Sequence, residues 1–435
     1  MAKVFIKSYG CQMNEYDSAK IIDLLTASCD FTETEDVTQA DLVVLNTCSV
    51  RTKASEKMFS DLGRLRLLKK KNPKLILAVG GCVSMQEKKN IFCRAPYVNI
   101  VFGPQTLHRL PELYKRALNN EKHIIDTTSC QIEKFDYFPA PSKTGPIAYV
   151  SIMEGCNKFC SYCIVPFTRG IEKSRNISDI LTEIKTLVAK EAKEIHLLGQ
   201  NVNAYRDPNN NATLANLIQE TAKIPTIERI RFTTSHPAEF GDDLIAIFKD
   251  VKKLANHIHL PIQSGSNRIL KLMRRGYTRE EYQKIIEKLR EVRPDINIST
   301  DFIVGFPNET EEDFAETIEI IKQINFDTSY SFIYSPRPNT PAEKMADNVT
   351  LTEKKERLAI LQNQLAAQAR KYSKNMIGTT QKVLVTDHAK KDSKQFSGRT
   401  ENNRVVNFTA KQDVLGKMVE VKITEALPNS LRGEF

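Results

Sequence analysis

The chain has 435 residues, 41% hydrophobic and 27% charged, which excludes a disordered or fibrous protein and leaves length for roughly two to four domains. Its 63 Lys and Arg outnumber 53 Asp and Glu for a formal charge of +10, a sign that points to nucleic acid or an anionic surface as partner. No apolar run approaches the ~18–20 residues of a membrane span and the start, MAKVFIKSYG, is too short and too charged for a secretory signal, so a cytoplasmic setting is expected, in which nine cysteines are metal ligands or reactive thiols rather than disulfides.

In chain order, the first predicted segment spans residues 1–140 and alternates strands with helices. Three apolar runs, VFIKSYGC, DLVVLNTC and LILAVGGC, end at Cys11, Cys48 and Cys82, and helical stretches at Asp17–Ala27 and Lys53–Lys70 separate them. Continuous apolar runs alternating with helices predict a parallel sheet. The loop FPAPSKTGP, Phe138 to Pro146, marks a boundary. Residues 147–370 then carry six strand-like runs beginning near Tyr149, Glu194, Arg229, His257, Asn297 and Thr328, with amphipathic helices such as Ser178–Lys190 and Thr278–Val292 between them. Six such units predict a partial (β/α)6 barrel, short of the usual eight. A polar helix, Thr352–Asn375, leads into residues 371–435, which are strand-rich and hold 12 basic against 7 acidic residues. That predicts a small basic β-barrel able to grip nucleic acid; a solubilising accessory domain is the competing reading. The expected fold class is therefore α/β, with an N-terminal parallel-sheet domain, a central partial barrel and a C-terminal small β-barrel.

Cys156, Cys160 and Cys163 lie in MEGCNKFCSYCIVP, spaced C-x3-C-x2-C just after a strand. Zinc sites usually complete four ligands from paired C-x2-C units, and no second pair exists here. Three thiolates on an iron–sulfur cube leave one iron open, an arrangement suited to binding a substrate or cofactor. Cys11, Cys48 and Cys82 each end a strand of one parallel sheet, where ligands collect, and Gly10, Gly80 and Gly81 allow close backbone approach. A second three-thiolate cluster is one reading and three half-buried core cysteines the other. Cys29, Cys93 and Cys130 share no spacing and are read as bystanders.

SIMEGCNKFCSYCIVPFTRG resembles the cluster motif of radical S-adenosylmethionine (SAM) enzymes, in its methylthiotransferase form. KSYGCQMN, LNTCSVR, GGCVSMQ, LLGQNVNAY, FTTSHP, LPIQSGSNRIL, DFIVGFPNETEEDF and YSPRPNTPA extend the resemblance along nearly the whole chain, and SGRTENNRVVNF is similar to the family's RNA-binding TRAM barrel. The resemblance implies two [4Fe-4S] clusters, on Cys156, Cys160 and Cys163 and on Cys11, Cys48 and Cys82. It also implies SAM contacts from Tyr162, which would line the adenine, and from Gly199, Gln200, Asn201, Ser235, Gln263, Ile303 and Gly305 at strand ends. Arg169 and Arg175 are candidates for the SAM carboxylate or an RNA phosphate, with a solvated surface role as the alternative. His236 and His259 are expected to be satisfied structural histidines, although both lie at strand ends.

The implied reaction replaces hydrogen at carbon 2 of an adenosine ring with a methylthio group, a C–H bond too weakly acidic for a side-chain base, so the cofactor supplies a radical route. The implied substrate is the isopentenylated adenosine at position 37 of tRNA, in the anticodon loop, with Arg399, Arg404 and Lys422 as candidate phosphate partners. A flavodoxin or ferredoxin is the expected electron donor, the sulfur donor is open, and the chain is expected to be a monomer away from membranes. Two alternatives stand beside this reading: a methylthiotransferase acting on a ribosomal protein, and a non-catalytic iron–sulfur RNA-binding protein.

Overall fold

The computed structural model describes residues 1–49, 52–128 and 133–435, with the side chain of Thr52 also left out. The chain divides into two compact units. The first comprises residues 1–142, 154–157 and 164–173; the second comprises 143–153, 158–163 and 174–435. The division passes through the C-x3-C-x2-C loop, with Cys156 in the first unit and Cys160 and Cys163 in the second.

The first unit is built on six parallel strands: β1 (Ala2–Tyr9), β2 (Phe31–Glu33), β3 (Leu42–Thr47), β4 (Ile76–Gly81), β5 (Ile100–Phe102) and β6 (Ile124–Asp126), in the order β2-β1-β3-β4-β5-β6. The strands β3 and β4 are buried at every residue, which is why their sequences run apolar without alternation. One face packs Val4, Leu42, Val44, Ile76 and Ala78 against α1 (Gln12–Cys29) and the helix Leu110–Leu118. The other packs Val43, Leu45, Leu77 and Val79 against Met58, Leu62 and Leu65 of α2 (Thr52–Lys71). From β1 the chain turns first to β2 on one side and then to β3 on the other. The order therefore reverses between β1 and β3, and the crevice beyond their carboxyl ends is where such sheets hold ligands.

The second unit contains the six expected strand positions: β7 (Ile147–Ser151), Glu194–Leu198, Arg229–Phe232, His257–His259, a fifth interrupted at Thr300 into Asn297–Ser299 and Asp301–Val304, and Tyr330–Ile333. Every pairing among them is parallel. Helices surround them, and one apolar core joins strand residues such as Val150, Ile195, Leu197, Ile230 and Ile298 to helix residues such as Ile184, Leu217, Phe248 and Leu289. Three helix amino ends are secured locally: Thr278, Thr310 and Thr350 each form a reciprocal capping box. The long polar helix Leu351–Asn375 leads to a closed five-stranded barrel, Thr380–Ala389, Asp392–Arg399, Val405–Thr409, Leu431–Glu434 and Met418–Ala426 in spatial order.

This small barrel is joined to the larger one through main chain. Glu194 and Arg229 open their strands and are buried. Arg229 ion-pairs with Glu194 at 2.9 Å and donates to the carbonyls of Lys382 at 2.9 Å and Arg399 at 3.2 Å. Arg231 pairs with the same carboxylate at 2.9 Å and donates to the carbonyls of Glu401 at 2.6 Å and Thr400 at 2.8 Å. The start of the strand array is thereby closed by the loop at 399–401. Among the described residues no helix is long and apolar enough to cross a membrane.

Candidate functional site

In the first unit, the three strand-end cysteines surround the reversal point. Cys11 caps α1 directly after β1, Cys48 follows β3, and Cys82 is the first residue of α3 (Cys82–Glu87) directly after β4. Cys48 and Cys82 are buried and Cys11 is exposed. Two glycines permit the approach. A Cβ on Gly10, whose φ is +139°, would stand 2.2 Å from the Cys48 Cβ, and one on Gly81, at φ +90°, would stand 2.5 Å from Asn46 Oδ1. Beneath the thiols lies a closed amide network. Asn14 accepts from Cys11 Sγ at 3.3 Å and donates to Asn46 Oδ1 at 3.0 Å, while Asn46 donates to the Asn14 carbonyl and to Ser18 Oγ, each at 3.0 Å.

The electrostatics favour a thiolate at Cys11. The Cys11 thiol is drawn down to about 6, chiefly by its hydrogen bond with Cys48, and further by the charge of Arg169. Thr47 Oγ1 and Ser49 Oγ, on either side of Cys48, are buried hydroxyls without a partner among the described residues. Three sulfur donors beside unsatisfied hydroxyls fit an anionic, sulfide-rich group. No three His, Cys, Asp or Glu side chains among the described residues converge on a single metal ion.

Arg169 departs from its expected role. It is 2% exposed and belongs to a buried ionic network of the first unit rather than to a surface or a SAM carboxylate. Its Nη1 meets Glu154 and its Nη2 meets Asp17, each at 2.8 Å, and its Nε donates to Cys82 Sγ at 3.2 Å. Lys134 completes the network, 2.5 Å from Glu154 and 3.3 Å from Asp17. Arg175 is likewise committed to protein partners, to Glu183 at 2.6 Å and to the Ser151 carbonyl at 2.7 Å.

In the second unit, Cys160 is buried; Arg275 Nη1 donates to its Sγ at 3.2 Å, and His236 Nε2 stands 3.9 Å away. Burial, then the charges of Arg275 and Lys158, push the His236 imidazole down to about 2, so the ring is neutral. His236 and His259 are both satisfied, as expected. His236 Nδ1 accepts from the Ala238 N–H at 3.3 Å, and His259 bonds Ser299 at 2.9 Å and Asp301 at 3.3 Å.

The expected SAM contacts lie at strand ends of this unit. Gly199, Gln200 and Asn201 follow the strand Glu194–Leu198, and Ser235 follows Arg229–Phe232. Both amide atoms of Asn201 and the Ser235 hydroxyl are buried without a partner among the described residues, which fits a polar cofactor seated there. Thr234 and Gln263 hold φ of +71° and +77°, left-handed conformations rare for side chains of their kind and common at binding sites. Tyr162 and Ile303 pack on one apolar cluster with Met273, Phe306 and Tyr334. Gly305 donates its N–H to Glu309 at 2.7 Å, turning its amide inward.

Of the candidate phosphate partners, Arg404 is overturned. It is held in a buried pair with Asp327, with Nη1 at 2.7 Å from Oδ2, because the helix Leu351–Asn375 and the small barrel meet there. Arg399 bonds the carbonyl of Asn403 at 3.0 Å, and Lys422 is exposed. Cys29 is half-buried and Cys93 exposed, both free thiols, and Cys130 lies outside the described residues. Asp17, Lys134, Glu154 and Arg275 are absent from the sequence reading; they come from separate segments, and no spacing joins them.

Comparison with known proteins gives the family. Residues 150–321 match the radical SAM superfamily, residues 3–103 the uncharacterized protein family UPF0004 and residues 374–435 the TRAM domain. A radical S-adenosylmethionine methyltransferase, TsrM, from Kitasatospora setae, solved with tryptophan and a SAM analog, shares the fold at a TM-score of 0.58 and 13% identity, over 88% of this chain and 78% of that one. The cobalamin-dependent enzyme OxsB, with a TM-score of 0.54 and 15% identity, is matched over 83% of this chain and 56% of its own. The tRNA-2-methylthio-N(6)-dimethylallyladenosine synthase of Legionella pneumophila (strain Corby) is 55% identical over 100% of this chain and 98% of its own length. The same-named protein of Mannheimia succiniciproducens is 54% identical over 99% of this chain and 92% of its own. By that full-length identity the chain belongs to the tRNA-2-methylthio-N(6)-dimethylallyladenosine synthase family of radical SAM proteins.

Proposed function

We propose that this protein adds a methylthio group to carbon 2 of the isopentenylated adenosine at position 37 of tRNA, using two [4Fe-4S] clusters and SAM. The observation that carries the reading is the second thiol set. An enzyme that only cleaved SAM would need the C-x3-C-x2-C loop alone, yet Cys11, Cys48 and Cys82 also gather at the reversal point of a separate sheet. When bound, a cluster with an open iron and SAM together supply the electron, the radical and the sulfur attachment that an aryl C–H bond requires.

The chain's own residues bind and orient. Cys156, Cys160 and Cys163 would hold the SAM-binding cluster, with Arg275 hydrogen-bonded to the Cys160 sulfur and the neutral His236 ring beside it. Asn201, Ser235 and Gln263 would meet the polar groups of SAM, and Tyr162 its adenine. Cys11, Cys48 and Cys82 would hold the second cluster, with Thr47 and Ser49 donating to its sulfides. A strongly polarised but ordinary acid–base site would not serve, since no side chain removes an aryl proton at this carbon. The basic small barrel, with Lys422 exposed, supplies the tRNA contact, and an anticodon-loop base is already partly unstacked and cheap to extrude. The working form would be a cytoplasmic monomer reduced by a flavodoxin- or ferredoxin-type donor.

Anaerobic incubation of reconstituted protein with SAM, reductant and isopentenylated, sulfur-free tRNA, followed by mass analysis of the nucleosides, tests this. A methylthio adduct on that adenosine is the expected result. Formation of 5′-deoxyadenosine without the adduct would leave the radical half standing and overturn the RNA assignment.

A further inference from the structure

The ionic network beside Cys82 is more elaborate than anchoring a loop requires. Asp17, Lys134, Glu154 and Arg169 are 1%, 0%, 0% and 2% exposed, so all four charges are out of water. Burying a lone guanidinium is unfavourable, and two carboxylates with one further cation bring the set to neutrality. Gln105 adds to the hold, donating to the Arg169 carbonyl at 2.6 Å and to Glu154 at 3.2 Å. With Nη1 hydrogen-bonded to Glu154 and Nη2 in an ion pair 2.8 Å from Asp17, the guanidinium is held between two carboxylates, and its Nε–H is delivered to Cys82 Sγ at 3.2 Å. Asp17 lies on α1, the helix that Cys11 caps. The same charge therefore ties together the segments that carry two of the three thiols.

Resting on the two-cluster reading above, we infer that Arg169 is a positioning residue for the second cluster: its buried Nε–H donates to the Cys82 ligand sulfur and makes that cluster easier to reduce. A charged donor on a ligand sulfur stabilises the more negative, reduced form, and hydrogen bonds to sulfur are among the determinants of iron–sulfur potentials. Asp17, Glu154 and Lys134 keep the donor aimed and its charge compensated.

The test uses the full chain with Cys156, Cys160 and Cys163 all changed to Ala, so that only the second set takes up iron. After anaerobic reconstitution, iron content is measured, and the one-electron midpoint potential is taken by dithionite titration with mediators, followed by electron paramagnetic resonance. Two substitutions are compared in this background. R169K keeps the charge but loses the fork; E154Q/R169Q removes one charge of each sign, leaving the Lys134–Asp17 pair intact so that the fold survives. The expected result is unchanged iron content in both, with a potential shifted negative in E154Q/R169Q and by less in R169K. Unchanged potential in E154Q/R169Q at full iron content overturns the inference. A triple-Ala parent that takes up no iron overturns the two-cluster reading itself, a failure distinct from the first.

Discussion

At the scale of single residues, the geometry separates side chains that sequence alone treats alike. Cys82 and Cys163 are both expected cluster ligands, but they belong to different groups of cysteines, one at the strand ends of the first unit and one in the C-x3-C-x2-C loop. C82A should lower iron content by about half, from two clusters to one, abolish methylthiolation and leave 5′-deoxyadenosine formation in place. Loss of both activities would mean that the sets are not independent. Arg404 and Lys422 separate in the same way. K422A should weaken tRNA binding and reduce the slope of log affinity against log salt by about one, measured by filter binding across a salt series. R404A strands the buried Asp327 carboxylate, 1% exposed, and should cost roughly 3–5 kcal/mol, read as a lowered Tm. His257 gives a pH signature. Burial, then the charges of Arg231, His259, Arg404 and His196, push its pKa well below the ordinary value. The folded protein thus keeps this ring neutral while the unfolded chain protonates it below about 6.5, so its contribution is complete above that pH and is lost on acidification. The Tm of H257Q should fall less steeply than wild type between pH 6.5 and 5; parallel profiles would remove His257 from the account.

At the scale of elements, legibility followed length and contiguity. The runs ending at Cys11, Cys48 and Cys82 are six to eight residues of strand, the latter two buried throughout, and their apolar character was readable, as were α1, α2 and the helix Leu351–Asn375. The strands Phe31–Glu33, Ile100–Phe102 and Ile124–Asp126 are three residues each, too short for any periodicity, and went unread. Leu431–Glu434, which closes the small barrel, escaped for the same reason. The break at Thr300 is set by tertiary contacts: its hydroxyl bonds the Leu260 carbonyl at 2.9 Å and accepts from the Ile262 N–H at 2.9 Å. The C-x3-C-x2-C loop was legible because its ligands are contiguous. The Arg169 network was not, since Asp17, Lys134 and Glu154 meet it only after folding, and a lysine in a loop carries no periodic signal. Arg169 and Arg404 were read as candidates for anions outside the protein, and each had found its anion within.

At the scale of the whole molecule, Glu194 is a hub. Its carboxylate, held well below the usual range against the cost of burial by His196, Arg231 and Arg229, receives both arginines that close the start of the strand array. E194Q should lower Tm and open residues 376–435 to limited proteolysis, whereas substitution of exposed Lys422 should do neither. Protection of that segment in E194Q would show that other contacts suffice. A corollary concerns deletion: removing residues 376–435 to test tRNA affinity also strips Arg229 and Arg231 of their carbonyl acceptors, so point changes such as K422A are the cleaner probe.

The two arginines address the loop at 399–401 through its carbonyls alone. Hydrogen bonds to peptide groups are blind to the side chains those groups carry. Residues 399–401 are therefore free to drift, whereas Arg404, paired with Asp327, and Met418, whose sulfur accepts from Arg229 at 3.2 Å, are not. A chimera bearing the small barrel of a relative with different residues at 399–401, but the same loop length and the same Arg404 and Met418, should match the parent's thermal stability. With those two side chains kept, the small barrel would be an exchangeable head, its outer face re-tailored without re-engineering the strands beneath it.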